Sequence, residues 1–350
     1  MASLEGCRAR AATTQGEMRR FLIGLVITVV CVGLLIRLID RAATISALKS
    51  ADPVLIVLAV TFLMMSIAAK TARWRLLLPT QAQVTTRRLY RILHISFLLN
   101  NVLPARLGDV ARVALASRQP GLRSGHVLSS LLTERVTDTV TLIAGFVVVS
   151  PFLPIPDQYR PWLYAAWFAL AGLFVVVVAL ALARRPLSGL LERLSTKRFI
   201  GGNERIRAEA RSFREGWRQL FSRQHVLRIW GWSWMAWGGA FAINYVLMRS
   251  LNINAPVTVA VLLTFTTNLA MLIPSSPGYI GVFHAAATLS LAPFGVGPSH
   301  ALSFAILAHL VNVVPVSILG ASFLLLGRES LNLNLGALRR APAVNPAADL

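Results

Sequence analysis

Asn100-Asn-Val-Leu-Pro-Ala-Arg-Leu-Gly-Asp-Val-Ala-Arg112 and Ile273-Pro-Ser-Ser-Pro-Gly-Tyr-Ile-Gly-Val-Phe-His284 each interrupt an apolar stretch with proline, glycine and polar side chains. Pro104 precedes Gly108 by four residues, just as Pro274 precedes Gly278. Proline removes a backbone donor and glycine frees the chain, so a helix is expected to break at both places. Broken helices at membrane depth leave free backbone dipoles. Corresponding breaks in two hydrophobic halves are the best pointer in a sequence to a transporter's substrate site. Transport is therefore the function to test first.

The remainder of the chain supplies the membrane. Of 350 residues, 55% are hydrophobic and only 14% charged, with a mean hydropathy of +0.63, which is not the make-up of a soluble domain. A net charge of +21 would suggest nucleic acid in a soluble protein, so where the charge sits decides its meaning. Cys7 and Cys31 are the only cysteines, too few for a disulfide framework or a metal cluster. Arg8, Arg10, Arg19 and Arg20 precede a first apolar run without a small-residue cleavage site, so that run is expected to stay as a span.

A span needs about 20 mainly apolar residues. Six candidates meet this: 21–39, 53–69, 127–149, 162–183, 229–248 and 301–326. The apolar run 92–103 is too short to cross, and 257–273 followed by 279–291 is broken in the middle, so both are expected to be re-entrant hairpins. The fold class is an all-α polytopic membrane protein, with six spans and two hairpins. Placing the N-terminus in the cytoplasm puts 29 of the 35 Lys and Arg in cytoplasmic segments (1–20, 70–123, 184–228 and from 328 on), as the positive-inside rule requires. It also makes the two halves, each a span, a hairpin and a span, opposite in direction. The expected organisation is a basic N-terminus (1–20), one membrane domain (21–327) and a disordered tail (328–350). Within the domain, 184–228 is a basic amphipathic segment that would lie on anionic inner-leaflet lipids. No nucleic acid is needed to explain the high charge.

Within this frame few residues can carry chemistry. Glu134, Arg135 and Asp138 open a span, where a charge costs a few kcal/mol unless it is paired or hydrated. They either lock helices together as an internal ion pair or line a polar path, with Glu134 meeting a proton or an amine and Arg135 a phosphate. Arg106, Asp109 and Arg112 follow the first break. A guanidinium fork there suits a phosphate, and the half-helix starting near Gly278 would add its positive end; otherwise these charges lie solvated at the inner surface. Asn100, Asn101, Asn268, Ser275, Ser276, His309 and Asn312 are polar groups at membrane depth, mostly for interhelical hydrogen bonds. His94, His284 and His309 are not spaced as a metal site, and no metal or cofactor is expected. Trp230, Trp232, Trp234 and Trp237 are expected to form an interfacial belt. No nucleotide-binding loop or nucleophile motif occurs, which argues against a soluble catalytic domain.

At these residues the chain resembles the flippase-like family that includes the membrane domain of lysylphosphatidylglycerol synthases. The likeness runs over roughly 18–328. It rests on Asn-x-x-x-Pro-x-Arg-x-Gly-Asp-x-x-Arg at 100–112, on Glu134-Arg135-x-x-Asp138 and on Pro274-x-x-Pro-Gly-Tyr-x-Gly-x-Phe-His284. The resemblance implies a bundle with two facing hairpins that moves a lipid between leaflets. The functional positions it implies are Asn101, Pro104, Arg106, Gly108, Asp109, Arg112, Glu134, Arg135, Asp138, Pro274, Pro277, Gly278 and Gly281. Many relatives carry Glu where this chain has His284. The aminoacyl-transferase domain of the fused synthases has no counterpart here, so lysyl-lipid synthesis is not expected.

The expected function is thus a transporter without catalytic chemistry, moving an amphiphilic, anionic lipid in the inner membrane. Substrate contacts would come from Asn101, Arg106, Asp109, Arg112, Glu134, Arg135, Asp138, Ser275, Ser276, Gly278, Gly281 and His284, and the helix breaks from Pro104, Gly108, Pro274 and Pro277. The partner is a membrane lipid, with a lipid-modifying enzyme as a second. Two rivals remain: a membrane-embedded transferase on a lipid-linked donor, with Glu134 or Asp109 as base, and an accessory subunit of a lipid or glycolipid pathway.

Overall fold

The computed structural model describes residues 40–103, 106–182, 223–273 and 275–326, together with Gly33. Among these residues there is no strand, and the chain is an all-α polytopic membrane protein. The expected first span at 21–39 apart from Gly33, the basic segment 184–222, the tail from 327, and Pro104 and Pro274 lie outside the described residues.

The described residues form ten α-helices in order: α1 (Arg41–Lys49), α2 (Pro53–Leu77), α3 (Thr86–Val102), α4 (Leu107–Ala116), α5 (Ser124–Val149), α6 (Arg160–Leu182), α7 (Arg223–Ser250), α8 (Val257–Ala270), α9 (Val282–Leu291) and α10 (Pro298–Leu326). Local chemistry starts and stops them. Asp40 caps α1 by accepting from Ala42 N–H at 2.8 Å. Asp52 caps α2 in the same way through Val54 N–H at 2.8 Å, with Pro53 in the first turn, where a missing N–H costs nothing. Thr85 caps α3. Three helices, α2, α5 and α10, are long and apolar enough to cross a bilayer. At 23 and 28 residues, α6 and α7 have the length.

Two features differ from expectation. The second span was expected to end at residue 69, but α2 runs on to Leu77. Lys70 and Arg73, which were counted as cytoplasmic, therefore sit on a continuous helix, and Arg73 is fully buried. The buried face Ala59, Leu63, Ser66, Arg73 and Leu77 keeps helical spacing through the charge, because carboxylates on a neighbouring helix meet it there. The apolar run 92–103 is the second half of a longer helix, α3, of 17 residues.

The packing has an internal repeat. α2 and α7 lie along each other at the centre, close enough for Ser66 Oγ to donate to the Ala236 carbonyl at 2.7 Å. Around them α3 packs on α10 and α8 on α5; α2 packs on α3 and α7 on α8; α4 packs on α5 and α9 on α10; α1 packs on α10 and α6 on α5. The pairs α2 with α10, α7 with α5, α2 with α5 and α7 with α10 complete the set. Exchanging α1–α5 for α6–α10 reproduces each of these helix pairings, so the two halves share one packing plan. Each half contributes a helix–break–helix unit, α3–α4 and α8–α9, folded so that its two limbs touch. Gly108 makes the first fold possible, since a Cβ there would collide with the Ser96 carbonyl.

Candidate functional site

The two breaks meet each other. Arg106, just before α4, has φ 55°, and Tyr279 has φ 58°. A non-glycine residue seldom adopts the left-handed region. Among the described non-glycine residues only Asn252 shares it. Arg106 and Tyr279 are also in contact: Arg106 Nε donates to the Tyr279 hydroxyl at 3.1 Å. Its Nη2 donates to the Met271 carbonyl at 3.3 Å, satisfying an acceptor left over at the end of α8. Gly278, at φ 71°, brings its Cα against the first break, where an added Cβ would lie 3.4 Å from the Asn101 carbonyl. Strain of this kind, held on both sides of one contact, is a mark of a functional site.

Beneath the tips lies a buried ion network joining four helices. Arg112 of α4 grips Glu134 of α5 in a fork, Nη1 to Oε1 at 3.2 Å and Nη2 to Oε2 at 2.7 Å, with the two residues 2% and 5% exposed. Its guanidinium lies 3.8 Å from the centre of the Trp74 ring. Arg73 of α2 donates to Asp138 at 2.7 Å and to Ser233 Oγ at 3.0 Å, and its other Nη stands 4.0 Å from Glu134. Trp237 of α7 donates to the same Asp138 oxygen at 3.0 Å. Paired carboxylates and arginines neutralise one another here in a place where single charges would be costly, while Arg73 Nε and Nη2 and Arg112 Nε stay buried without a hydrogen bond. Glu134 and Asp138, one turn apart, both face α2, and their cations come from other helices rather than from Arg135. The structure turns the Arg112 fork, expected to meet a phosphate, onto Glu134.

A third pair faces outward. Arg135 Nη2 meets Asp109 Oδ2 at 2.7 Å, with side chains 48% and 26% exposed, and Asn100 Nδ2 donates to the other Asp109 oxygen at 3.1 Å. Leu128 and Leu132, seven and three residues before Arg135, share its face of α5. Leu107 and Val110 flank Asp109. All four are at least 41% exposed. A charge pair is thereby set into an apolar outer surface, next to the meeting tips.

The other expected site residues are placed as follows. Asn101 donates to Ser317 Oγ of α10 at 3.2 Å. Ser275 Oγ is buried without a hydrogen bond, and Ser276 lies on the second break. Gly281, at φ 87°, starts α9. His284 has a buried Nδ1 without a partner and stands 5.0 Å, ring centre to ring centre, from His309 of α10. These two histidines, expected to be scattered, are neighbours. Among the described residues no three potential metal ligands converge. Trp237 is buried in the ion network and does not belong to an interfacial belt. Arg73, Trp74, Ser233 and Ser130, whose hydroxyl accepts from Trp74 Nε1 at 3.0 Å, were not anticipated. The one available signal was the helical spacing that carries the buried face of α2 past residue 69.

Breaks that meet, a buried ion network beneath them and a duplicated packing plan define a polytopic helical membrane protein with a polar centre. The family described as "Lysylphosphatidylglycerol synthase TM region" matches residues 21–320, and the chain belongs to it. A UPF0104 membrane protein of Methanothermobacter thermautotrophicus is 23% identical over 316 residues, which cover 85% of this chain and 93% of that protein. The glycosyltransferase AglD of Haloferax volcanii is 25% identical over 349 residues, covering 89% of this chain but only 54% of AglD. A second UPF0104 membrane protein, MJ1078 of Methanocaldococcus jannaschii, is 24% identical over 225 residues, covering 64% of this chain and 91% of that protein.

Proposed function

We propose that this protein moves an amphiphilic, anionic lipid between the leaflets of the inner membrane, with both of its termini in the cytoplasm. The observation that carries the reading is the Asp109–Arg135 pair, half open and bordered by exposed leucine and valine beside the touching breaks. A head group displaces Asp109 from Arg135 and gains a charge-assisted bond, while its tails stay on Leu128 and Leu132 outside the protein. Arg112, Glu134, Arg73 and Asp138 hold the helices that frame the path. Arg106 and Tyr279 form the contact that must open as the head group passes. No covalent chemistry is required.

The test is reconstitution into liposomes carrying a fluorescent phosphatidylglycerol, with the outer leaflet bleached by an impermeant reductant. The wild type should expose the inner pool far faster than protein-free liposomes, and Arg135→Gln should return the rate close to that background. An unchanged rate in Arg135→Gln sinks the assignment. A second reading draws on the name of one relative, a glycosyltransferase. In it, the chain serves a glycolipid pathway, either moving a glycosylated lipid or taking part in sugar transfer with Asp109 as base. Turnover of a labelled lipid-linked sugar by the purified protein alone would favour transfer over movement.

A further inference from the structure

A cavity of about 460 Å³ opens between α2, α3 and α10, away from the meeting breaks. Thr86 on its rim lies 15 residues before Asn101 on α3, or about 22 Å along the helix. Arg87 and Arg91 line it one helical turn apart, beside Thr71, Tyr90 and Phe323. Neither arginine has a hydrogen bond or ion pair with any of the described residues. The Arg91 guanidinium only overlies the Phe323 ring, at 5.8 Å.

Two like charges four residues apart repel, and the N-terminal end of α3 adds partial positive charge to the same spot. No Asp or Glu occurs from residue 53 to residue 108, so neither α2 nor α3 can supply a counter-charge. Among the described residues the cavity therefore concentrates positive charge without an anion on α2, α3 or α10, in contrast to the network around Arg73 and Arg112, where each guanidinium faces a carboxylate. Guanidinium forks match phosphate oxygens. Phe323, Ala68 and the ring of Tyr90 supply an apolar wall on the other side, which a free phosphate would not use but a glycerolipid would.

We propose that this cavity is a binding site for the phosphate of a lipid head group, gripped by Arg87 and Arg91, with the start of the acyl chains against Phe323. The chemistry shared with a soluble ligand is the phosphate itself; the apolar wall assigns it to a lipid. The site is separate from the Asp109–Arg135 pair, and it stands whether or not the protein moves lipid.

Native mass spectrometry of the purified full-length protein in detergent tests this with three probes: phosphatidylglycerol, diacylglycerol and inorganic phosphate. Phosphatidylglycerol should be retained and diacylglycerol should not. Arg87→Gln with Arg91→Gln should weaken phosphatidylglycerol binding at least tenfold, whereas Arg228→Gln, which removes an exposed charge on α7, should change it less than twofold. Arg91→Lys should lose part of the affinity, because it keeps the charge but not the fork. An unaltered affinity in the double variant overturns the proposal. So does an equal loss in Arg228→Gln, which would mean diffuse attraction. Displacement of the lipid by millimolar inorganic phosphate alone would overturn the assignment to a lipid. The double variant relieves a repulsion, so its thermal unfolding temperature should not fall, and a fall of several degrees would show that the arginines serve the fold instead.

Discussion

Glu134→Gln and Arg112→Met remove opposite ends of one buried pair, yet the first should be the more damaging. Arg112 has one carboxylate, reached through both of its Nη atoms at 3.2 and 2.7 Å. Glu134 has a second cation in reserve, Arg73 at 4.0 Å. Neutralising Glu134 leaves Arg112 buried with only the face of Trp74, and an uncompensated buried charge costs about 3–5 kcal/mol. In Arg112→Met, Glu134 keeps Arg73, and about half of that penalty is avoided. At about 2 °C per kcal/mol for a chain of this size, Glu134→Gln should lower the unfolding temperature by about 6–10 °C and Arg112→Met by about 3–5 °C. Combining the two removes both charges, so the double variant should be more stable than Glu134→Gln alone. The assay is thermal unfolding of detergent-purified protein, followed by tryptophan fluorescence and arranged as a double-mutant cycle. Equal losses, a larger loss for Arg112→Met, or strict additivity would refute the reasoning.

Arg135→Gln should change the unfolding temperature by no more than about 2 °C, since a half-exposed pair contributes at most about 1 kcal/mol, while the same variant loses leaflet exchange of phosphatidylglycerol. Gly320→Ala should sharply reduce the yield of monodisperse protein in size-exclusion chromatography, because its Cβ would stand 2.6 Å from the His94 carbonyl and 2.8 Å from Leu98 Cβ. Arg106→Ala releases the Met271 carbonyl and the Tyr279 hydroxyl together. Hydrogen exchange at 270–280 should then accelerate while the amides of α5 keep their protection. After replacement of Cys7 and Cys31, single cysteines at 254 and 297 should react with an impermeant maleimide in intact cells, and those at 87 and 123 should stay silent. Flanks of one break that labelled from opposite sides would remove the expected inversion between the halves.

The breaks were legible because proline and glycine act locally. Pro104 and the pair Pro277 with Gly278 announce a chain that cannot continue as helix, whatever surrounds it; Gly108, expected as a break, lies within α4 and serves the close approach to Ser96 instead. The charged positions on α4 and α5 were legible as well, since an ionisable group inside an apolar run stands out by composition alone. Their partners were not. Arg73 meets Asp138 across 65 residues of sequence, and Trp237 meets it across 99, through tertiary packing that leaves no periodic trace. The apparent end of the second span misled because Lys70, Arg73 and Arg75 look like a cytoplasmic stop, when one of the three is an interior side chain. Arg106 illustrates the opposite case: its motif position was readable, but its left-handed backbone and its bond to Tyr279 depend on the other half of the molecule.

Between residues 250 and 327 the chain carries no Asp, Glu, Lys or Arg, although α8, α9 and α10 pack by the same plan as their charged counterparts α3, α4 and α5. That asymmetry is mechanical. α2, α4 and α5 are riveted by directional ion pairs, and α7 is tied to them through Ser233 and Trp237; sliding any one of these helices would strand a charge. α8 and α9 are joined to each other by a hydroxyl pair, Thr266 with Ser290 at 2.7 Å, and to the rest by apolar contact such as Phe146 stacked on Phe265 and by a neutral hydrogen bond from Asn244 of α7 to Thr264 at 2.8 Å, with no ion pair on α8 or α9. Contacts of that kind can be exchanged for lipid or for one another at little cost. In the proposed movement of lipid, the ion-paired helices are the stator and α8 and α9 the slider, shifting along the seam where Arg106 reaches across to Tyr279.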